Sequence, residues 1–393
     1  MPLSLVLRPH SDRQSELGVA WAGALLIAST YGMARFGVGL FAPRLALERP
    51  ALDHVVGLAA AAQFASYAIA AAAAVRLSDR RPRIGLVLAG VTATAGCIGV
   101  AVASTPIGFV AAVFVGGMGA GFASPALVRV VDAAVCDRAA PTTQSMVNSG
   151  TAGGVIAVGM LTFATTSSTP AWILMATVCA ASAGAVLLVA RRRGGSVPPS
   201  PTVVPDATVP ASPQWRQLVL PGTAALVTGA GSALIWTFGP LLVTQAGSVR
   251  TGRVGWLWIA LGLGGLVGPL TGVVVARLGP RRAWRLFTGV LALANVVLSA
   301  SVGLGAGWAA FAAMAIFGAG YMCLSGVLIL WARAMWQTAA GAGTSMLFIA
   351  LAVGQALGST GLELAPTQTR PVSTVLAAAA LCAIGGGLTC LRA

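Results

Sequence analysis

Lysine is absent from this chain of 393 residues, so all 24 basic residues are arginine. That excludes a phosphate-binding Gly-x-x-x-x-Gly-Lys-[Ser/Thr] loop, and with it nucleotide hydrolysis as a direct energy source. Acidic residues are scarce. The nine present, Asp12, Glu16, Glu48, Asp53, Asp79, Asp132, Asp137, Asp206 and Glu363, fall in loops or at the ends of apolar runs. Histidine occurs twice, at His10 and His54. Chemistry inside a membrane needs clustered His, Asp, Glu or Cys, or a nucleophile beside a base, and neither histidine has a suitable neighbour in the sequence. An enzyme is therefore not expected, nor a cofactor or a metal. The six cysteines, at 97, 136, 179, 323, 382 and 390, show no metal-ligand or redox spacing and read as small apolar filler.

What is abundant is apolar. Hydrophobic residues make up 57% of the chain and charged ones 8%, against about a quarter charged in a soluble domain. The length accommodates twelve spans of about 20 residues. The apolar runs lie near 17–42, 54–75, 84–104, 107–131, 142–166 and 170–190, then near 217–245, 253–276, 283–304, 307–330, 342–365 and 371–391. The expected class is an all-α membrane protein with two bundles, 17–190 and 217–391. Between them, 191–216 opens on three arginines, contains six prolines and reads as an extended linker. The pI near 11.4 does not point to nucleic acid, because the arginines sit in short loops between apolar runs.

Arginine placement sets orientation. With the N-terminus inside, 18 arginines fall on the cytoplasmic side, five outside (Arg44, Arg49, Arg250, Arg253, Arg370) and Arg35 within a span. Both termini and the linker are thus expected in the cytoplasm of a bacterial inner membrane. Residues 1–16 are too polar after Val6 for a signal peptide and read as a short cytoplasmic segment.

The chain also repeats itself. Phe41-Ala42-Pro43 aligns with Phe238-Gly239-Pro240, Gly119-Ala120-Gly121-Phe122 with Gly318-Ala319-Gly320-Tyr321, and Ser145-Met146 and Gly154 with Ser345-Met346 and Gly354. Two apolar halves in the same orientation imply a binding site at their interface, as in many transporters.

The loop between spans two and three reads Val75-Arg76-Leu77-Ser78-Asp79-Arg80-Arg81-Pro82-Arg83, and its counterpart Gly272-Val273-Val274-Val275-Ala276-Arg277-Leu278-Gly279-Pro280-Arg281-Arg282. Together they resemble the Gly-x-x-x-Asp-basic-x-Gly loop of the major facilitator superfamily. The first copy lacks both glycines and the second lacks the aspartate. The resemblance covers essentially the whole chain and implies that family's fold of 12 transmembrane helices in two pseudo-symmetric six-helix bundles. It also implies a cytoplasmic gate, with Asp79 capping a helix of the opposite half and Arg83 pairing with Asp132. Arg80 and Arg277, the basic positions that follow the aspartate site in the two copies, complete the expected gate. Family export motifs are degraded: Val113 stands where an arginine would precede Gly117-Met118-Gly119, and Ser149–Gly154 keeps its final glycine pair without the proline.

Span one holds Tyr31-Gly32-Met33-Ala34-Arg35-Phe36-Gly37, whose Gly-x-x-Arg-Phe run is similar to poorly characterised bacterial members of the superfamily. A mid-span arginine costs from about 3 to more than 10 kcal/mol unless it finds a partner, water or a ligand. Its planar fork suits carboxylate or phosphate, and Tyr31, four residues earlier, shares its helical face. The repeat maps Tyr31, Arg35 and Gly39 onto Thr228, Ser232 and Trp236 as a facing stripe. Gln63 and Tyr67 share a face of span two, Asn148 and Gln355 are isolated amides, and Tyr321 ends the Gly-Ala-Gly-aromatic run; these complete the expected substrate contacts. His54 reads as a surface residue.

The expected activity is secondary transport of a small organic molecule by alternating access, driven by a gradient of protons, another ion or a substrate, or else running as facilitated diffusion, by a monomer in the lipid bilayer. The family resemblance favours export; the lone arginine favours carriage of an organic anion. A receptor or assembly protein on the same fold stays open.

Overall fold

The computed structural model describes residues 10–135, 140–192, 214–335, 340–364 and 371–390. Among these there is no strand, and twelve helical segments are long and apolar enough to cross a membrane. The first half comprises α1 (His10–Ile27), α2 (Gly37–Glu48), α3 (Val56–Arg80), α4 (Pro82–Val102), α5 (Pro106–Ala134), α6 (Ala140–Ala164) and α7 (Ser168–Arg192). The second comprises α8 (Val219–Gln245), α9 (Val254–Gly265), α10 (Thr271–Leu278), α11 (Pro280–Leu304), α12 (Gly307–Met335), α13 (Ala340–Leu364) and α14 (Pro371–Gly387). α7 finishes and α8 begins at one end of the molecule, the near end; α2 and α13 finish at the opposite, far end. Most of the expected linker, 193–213, lies outside the described residues.

Three spans depart from the expected boundaries, each for a local reason. The first runs through a π-helical turn, Ala28–Arg35, between α1 and α2, and bends at Phe36 (φ −97°, ψ 0°). The second continues to Arg80, so the motif expected as a loop forms the last turns of α3. Having lost its glycines, that stretch meets no helix breaker before Pro82, which keeps Arg81 out of the helical region (φ −147°, ψ 67°). The eighth breaks into α9 and α10 around Gly268-Pro269. Its glycine-containing loop does end the helix, at Gly279 with a φ of +75°.

The repeat is also visible in the packing. Each half places its fourth span against its second and third: α5 on α3 and α4, α12 on α9 and α11. A Cβ on Gly154 of α6 would fall 2.1 Å from the Ala28 carbonyl oxygen; one on Gly354 of α13 would fall 1.9 Å from that of Leu226. The two glycines are aligned by the repeat, and each lets its helix touch the first span of its own half, as small residues do between membrane helices. Between the halves, α3 packs on α13 and α6 on α9.

Charged side chains at the far end serve as helix caps. Arg49 donates to the carbonyls of Val100, Ala101 and Ala103 at 2.8–2.9 Å, satisfying the C-terminus of α4, and to Thr169 Oγ1 at 2.7 Å. Arg44 does the same for α6 through Thr162 O and Thr165 O, both at 3.0 Å. The Glu48 carboxylate accepts from the amide and hydroxyl of Ser168, at the N-terminus of α7. Cations at C-termini and an anion at an N-terminus match the helix dipoles.

Candidate functional site

The π-helical turn carries Tyr31 and Arg35. Such turns widen the helix and disturb its hydrogen-bond ladder, and they recur at functional sites. Here the Gln63 side-chain amide of α3 donates to the Ala34 carbonyl at 3.4 Å. Gln63 therefore bonds to the backbone of the turn.

Arg35 is only 4% exposed. Its guanidinium carbon lies 3.9 Å from the ring centre of Tyr67 and 5.2–5.4 Å from those of Phe36, Phe64 and Tyr31. Contacts of this kind contribute about 0.5–2 kcal/mol each, more when desolvated. Its Nη2 donates to Gln355 Oε1, on α13 in the other half, at 3.3 Å. Its Nε is buried without a partner. No carboxylate neutralises it among the described residues, where every acidic residue sits at or near a helix end.

Around this charge the two halves meet. Gln355, fully buried, donates from Nε2 to Tyr321 Oη at 3.0 Å and to Ser232 Oγ at 3.4 Å. Tyr31 Oη donates to Tyr67 Oη at 3.1 Å, with the rings edge to face and Ser124 beside the Tyr31 hydroxyl. The chain has three tyrosines, and all three line this centre. Phe36 stacks on Trp236 across the interface with ring centres 3.7 Å apart, and Trp236 meets Tyr321 and Phe317 edge-on. The Trp236 indole Nε1 is buried and unpartnered, a second orphan beside the unsatisfied Arg35 nitrogen. Buried polar groups left this way are energetically unfavourable.

Of the expected contact residues, the structure gathers Tyr31, Arg35, Tyr67, Ser232, Trp236, Tyr321 and Gln355, with Gln63 in support. Two differ from expectation. Thr228 is buried against Gly385 of α14, inside its own half, rather than opposite Tyr31. The repeat gives its position along the helix but not the face it presents. Asn148 accepts from Gln144 one turn earlier on α6 at 3.2 Å, and no hydrogen bond joins it to the Arg35 centre. The expected gate is described only in part: the side chains of Asp79, Arg80 and Asp132 lie outside the described residues, while Arg83 and Arg277 are exposed.

Sequence reasoning missed Phe36, Phe64 and Phe317, which supply aromatic walls; their signal was adjacency to Arg35 and Gln63 and placement in the Gly-Ala-Gly-aromatic span. It also missed that Cys97 of α4 and Cys179 of α7 meet thiol to thiol in the core, since residues so far apart show no spacing signal.

Two six-helix bundles closing on a buried, aromatic-walled cation define a membrane carrier of solutes. The chain belongs to the Major Facilitator Superfamily, whose family model matches residues 24–359. No curated protein matches it. Among solved structures it is similar to a nucleoside transporter, NupG, at 11% identity and a TM-score of 0.71, over 95% of this chain and 99% of that one. It is similar to a D-xylose-proton symporter at 15% identity and 0.73, over 95% and 96%. A peptide transporter, POT, follows at 12% and 0.74, over 96% and 93%. At these identities the likeness is one of fold.

Proposed function

We propose that this transporter carries a small organic anion, with the Arg35 guanidinium as its anchor. The observation that carries this is a permanently charged group, 4% exposed, with one nitrogen unpartnered and, among the described residues, no carboxylate beside it. The acceptor that Arg35 does have, the neutral Gln355 amide oxygen, sits at a long 3.3 Å. A carboxylate or phosphate oxygen is the better acceptor, and its charge offsets the cost of burying Arg35. Tyr67 and Tyr321 add donors, and the Phe36–Trp236 stack gives a flat apolar wall for the carbon skeleton.

Export from the bacterial cytoplasm, with both termini inside, is part of the proposal. So is a near-end gate formed by Asp79, Arg80, Arg83, Asp132 and Arg277, with 191–216 joining the bundles. Solute uptake into everted membrane vesicles tests the direction.

The deciding experiment is ligand-induced thermal stabilisation of the purified protein with a panel of organic anions, cations and neutral amphiphiles. A ligand at one hundred times its Kd stabilises by about 2.7 kcal/mol, a readily measured shift. Anions are expected to stabilise the wild type and to leave Arg35→Ala unshifted. Equal stabilisation of both proteins by neutral or cationic compounds overturns the reading.

A further inference from the structure

Gly57, in the first turn of α3, is buried, and α3 has no side-chain cap of its own at Val55. Its amide instead donates to Glu363 Oε2 at 2.8 Å, from the last turn of α13 in the opposite half. A Cβ at Gly57 would fall 2.2 Å from that oxygen and 2.7 Å from the Phe238 ring, so glycine is what admits the carboxylate. Asp53 and His54, in the 3₁₀ turn before α3, face the same carboxylate electrostatically. His54 is exposed, and the Asp53 Oδ1 is buried without a partner.

We propose that Glu363, with Asp53 and His54, is a proton-binding site that latches α13 to α3 at the far end and releases that end when it is protonated. This rests on the reading of the chain as an alternating-access carrier, and it supplies the ion coupling which the central site, lined by no acid among the described residues, does not. The ionised carboxylate sits at the positive end of α3 and accepts a charge-assisted hydrogen bond, about twice as strong as a neutral one. Binding one proton forms the neutral acid, removes the charge from the helix terminus and relieves repulsion from Asp53. Losing the proton restores the latch.

Among the described residues, Asp53 and His54 are the charged groups that act on this carboxylate. α8 contributes Phe238 and has no ionisable side chain, α13 has none besides Glu363, and the early turns of α3 have none. Arg44, Glu48 and Arg49 of the neighbouring segment are engaged with the ends of α6, α7 and α4. His54 supplies the countercharge open to solvent.

Geometry links this latch to the solute. Gln355, the cross-bundle partner of Arg35, lies two turns before Glu363 on the same helix. An anion at Arg35 displaces the first tie of α13 to the opposite half, and a proton at Glu363 releases the second. The first tie holds α13 at the centre of the membrane; the second alone holds the far end shut.

The test is a distance measurement in the full chain, in lipid nanodiscs without solute. Spin labels go at Leu47→Cys and Leu304→Cys, far-end positions 71% and 83% exposed in opposite halves, with reactive native cysteines replaced by serine. From pH 8 to pH 4.5 the wild type is expected to shift toward longer separations. Glu363→Gln, which mimics the protonated acid, is expected to give the long separation at both pH values. Gly57→Ala, which pushes the carboxylate away, is expected to do the same by a second route. A wild-type distribution that ignores pH overturns the proposal, as does Glu363→Gln keeping the short, pH-responsive one. The anion reading fails separately: a pH-responsive far end in a protein that no anion stabilises keeps the latch and removes the anion, and the converse result removes the latch alone.

Discussion

Arg35 of the first span and Gln355 of the eleventh are 320 residues apart in sequence and joined by one long hydrogen bond of 3.3 Å across the bundle interface. A permanent cation is thereby held by a neutral amide, next to aromatic faces, with no carboxylate to balance it among the described residues. The pairing closes the centre while leaving it underfilled electrostatically.

The first prediction concerns that imbalance. Arg35→Lys keeps the charge but loses the planar fork, so anion affinity is expected to fall about 10- to 100-fold while weak anion-induced stabilisation survives. Titration calorimetry with the best-stabilising anion measures it; wild-type affinity in the lysine variant contradicts a bidentate anchor.

Trp236 is expected to report binding. Its ring stacks 3.7 Å from that of Phe36, the residue after Arg35. Saturating anion is expected to change tryptophan emission in the wild type, and Trp236→Phe to abolish most of that change. Trp308, 73% exposed, serves as a control, since Trp308→Phe should leave the ligand response intact.

Two adjacent glycines separate packing from composition. Gly154→Ala drives a methyl into the Ala28 backbone, whereas Gly153→Ala meets nothing within 4 Å. The first is expected to destabilise by about 1–3 kcal/mol and the second to be neutral. Gly354→Ala is expected to match Gly154→Ala, because the repeat gives both the same close approach. Thermal unfolding in one detergent compares all three.

At the far end, Arg49→Ala removes donors from three carbonyls at the end of α4 and from Thr169. Leaving these acceptors unsatisfied is expected to cost about 2 kcal/mol or more, read as a lower midpoint in denaturant unfolding. Arg49→Lys should recover only part, because a single ammonium lacks the fork that spans the carbonyls.

Much of the fold was legible because a bilayer imposes a strong rule: backbone polar groups pair within a helix, and the helix surface is apolar. Hydropathy therefore located twelve spans, and internal repetition divided them into two bundles. Arg35 was legible for the same reason, since a charge in such a run stands out, as did Gln63 and Gln355. The break at Gly268-Pro269 was written in the sequence and passed over, because hydropathy does not register it.

The tertiary structure decided which faces meet. Composition and spacing say that Thr228 and Ser232 lie one turn apart, but only packing turns Ser232 toward Gln355 and Thr228 against α14. Likewise Asn148 reads as a candidate because it is a lone amide, yet a neighbour on its own helix satisfies it. The latch between Glu363 and Gly57 has no linear signature, since a span-end glutamate and a glycine 306 residues away become partners only when two helices from different halves pack. A sequence determines which residues a membrane tolerates at each depth; the rotation and crossing of helices, set by the sum of many small side-chain contacts, determine which of them touch.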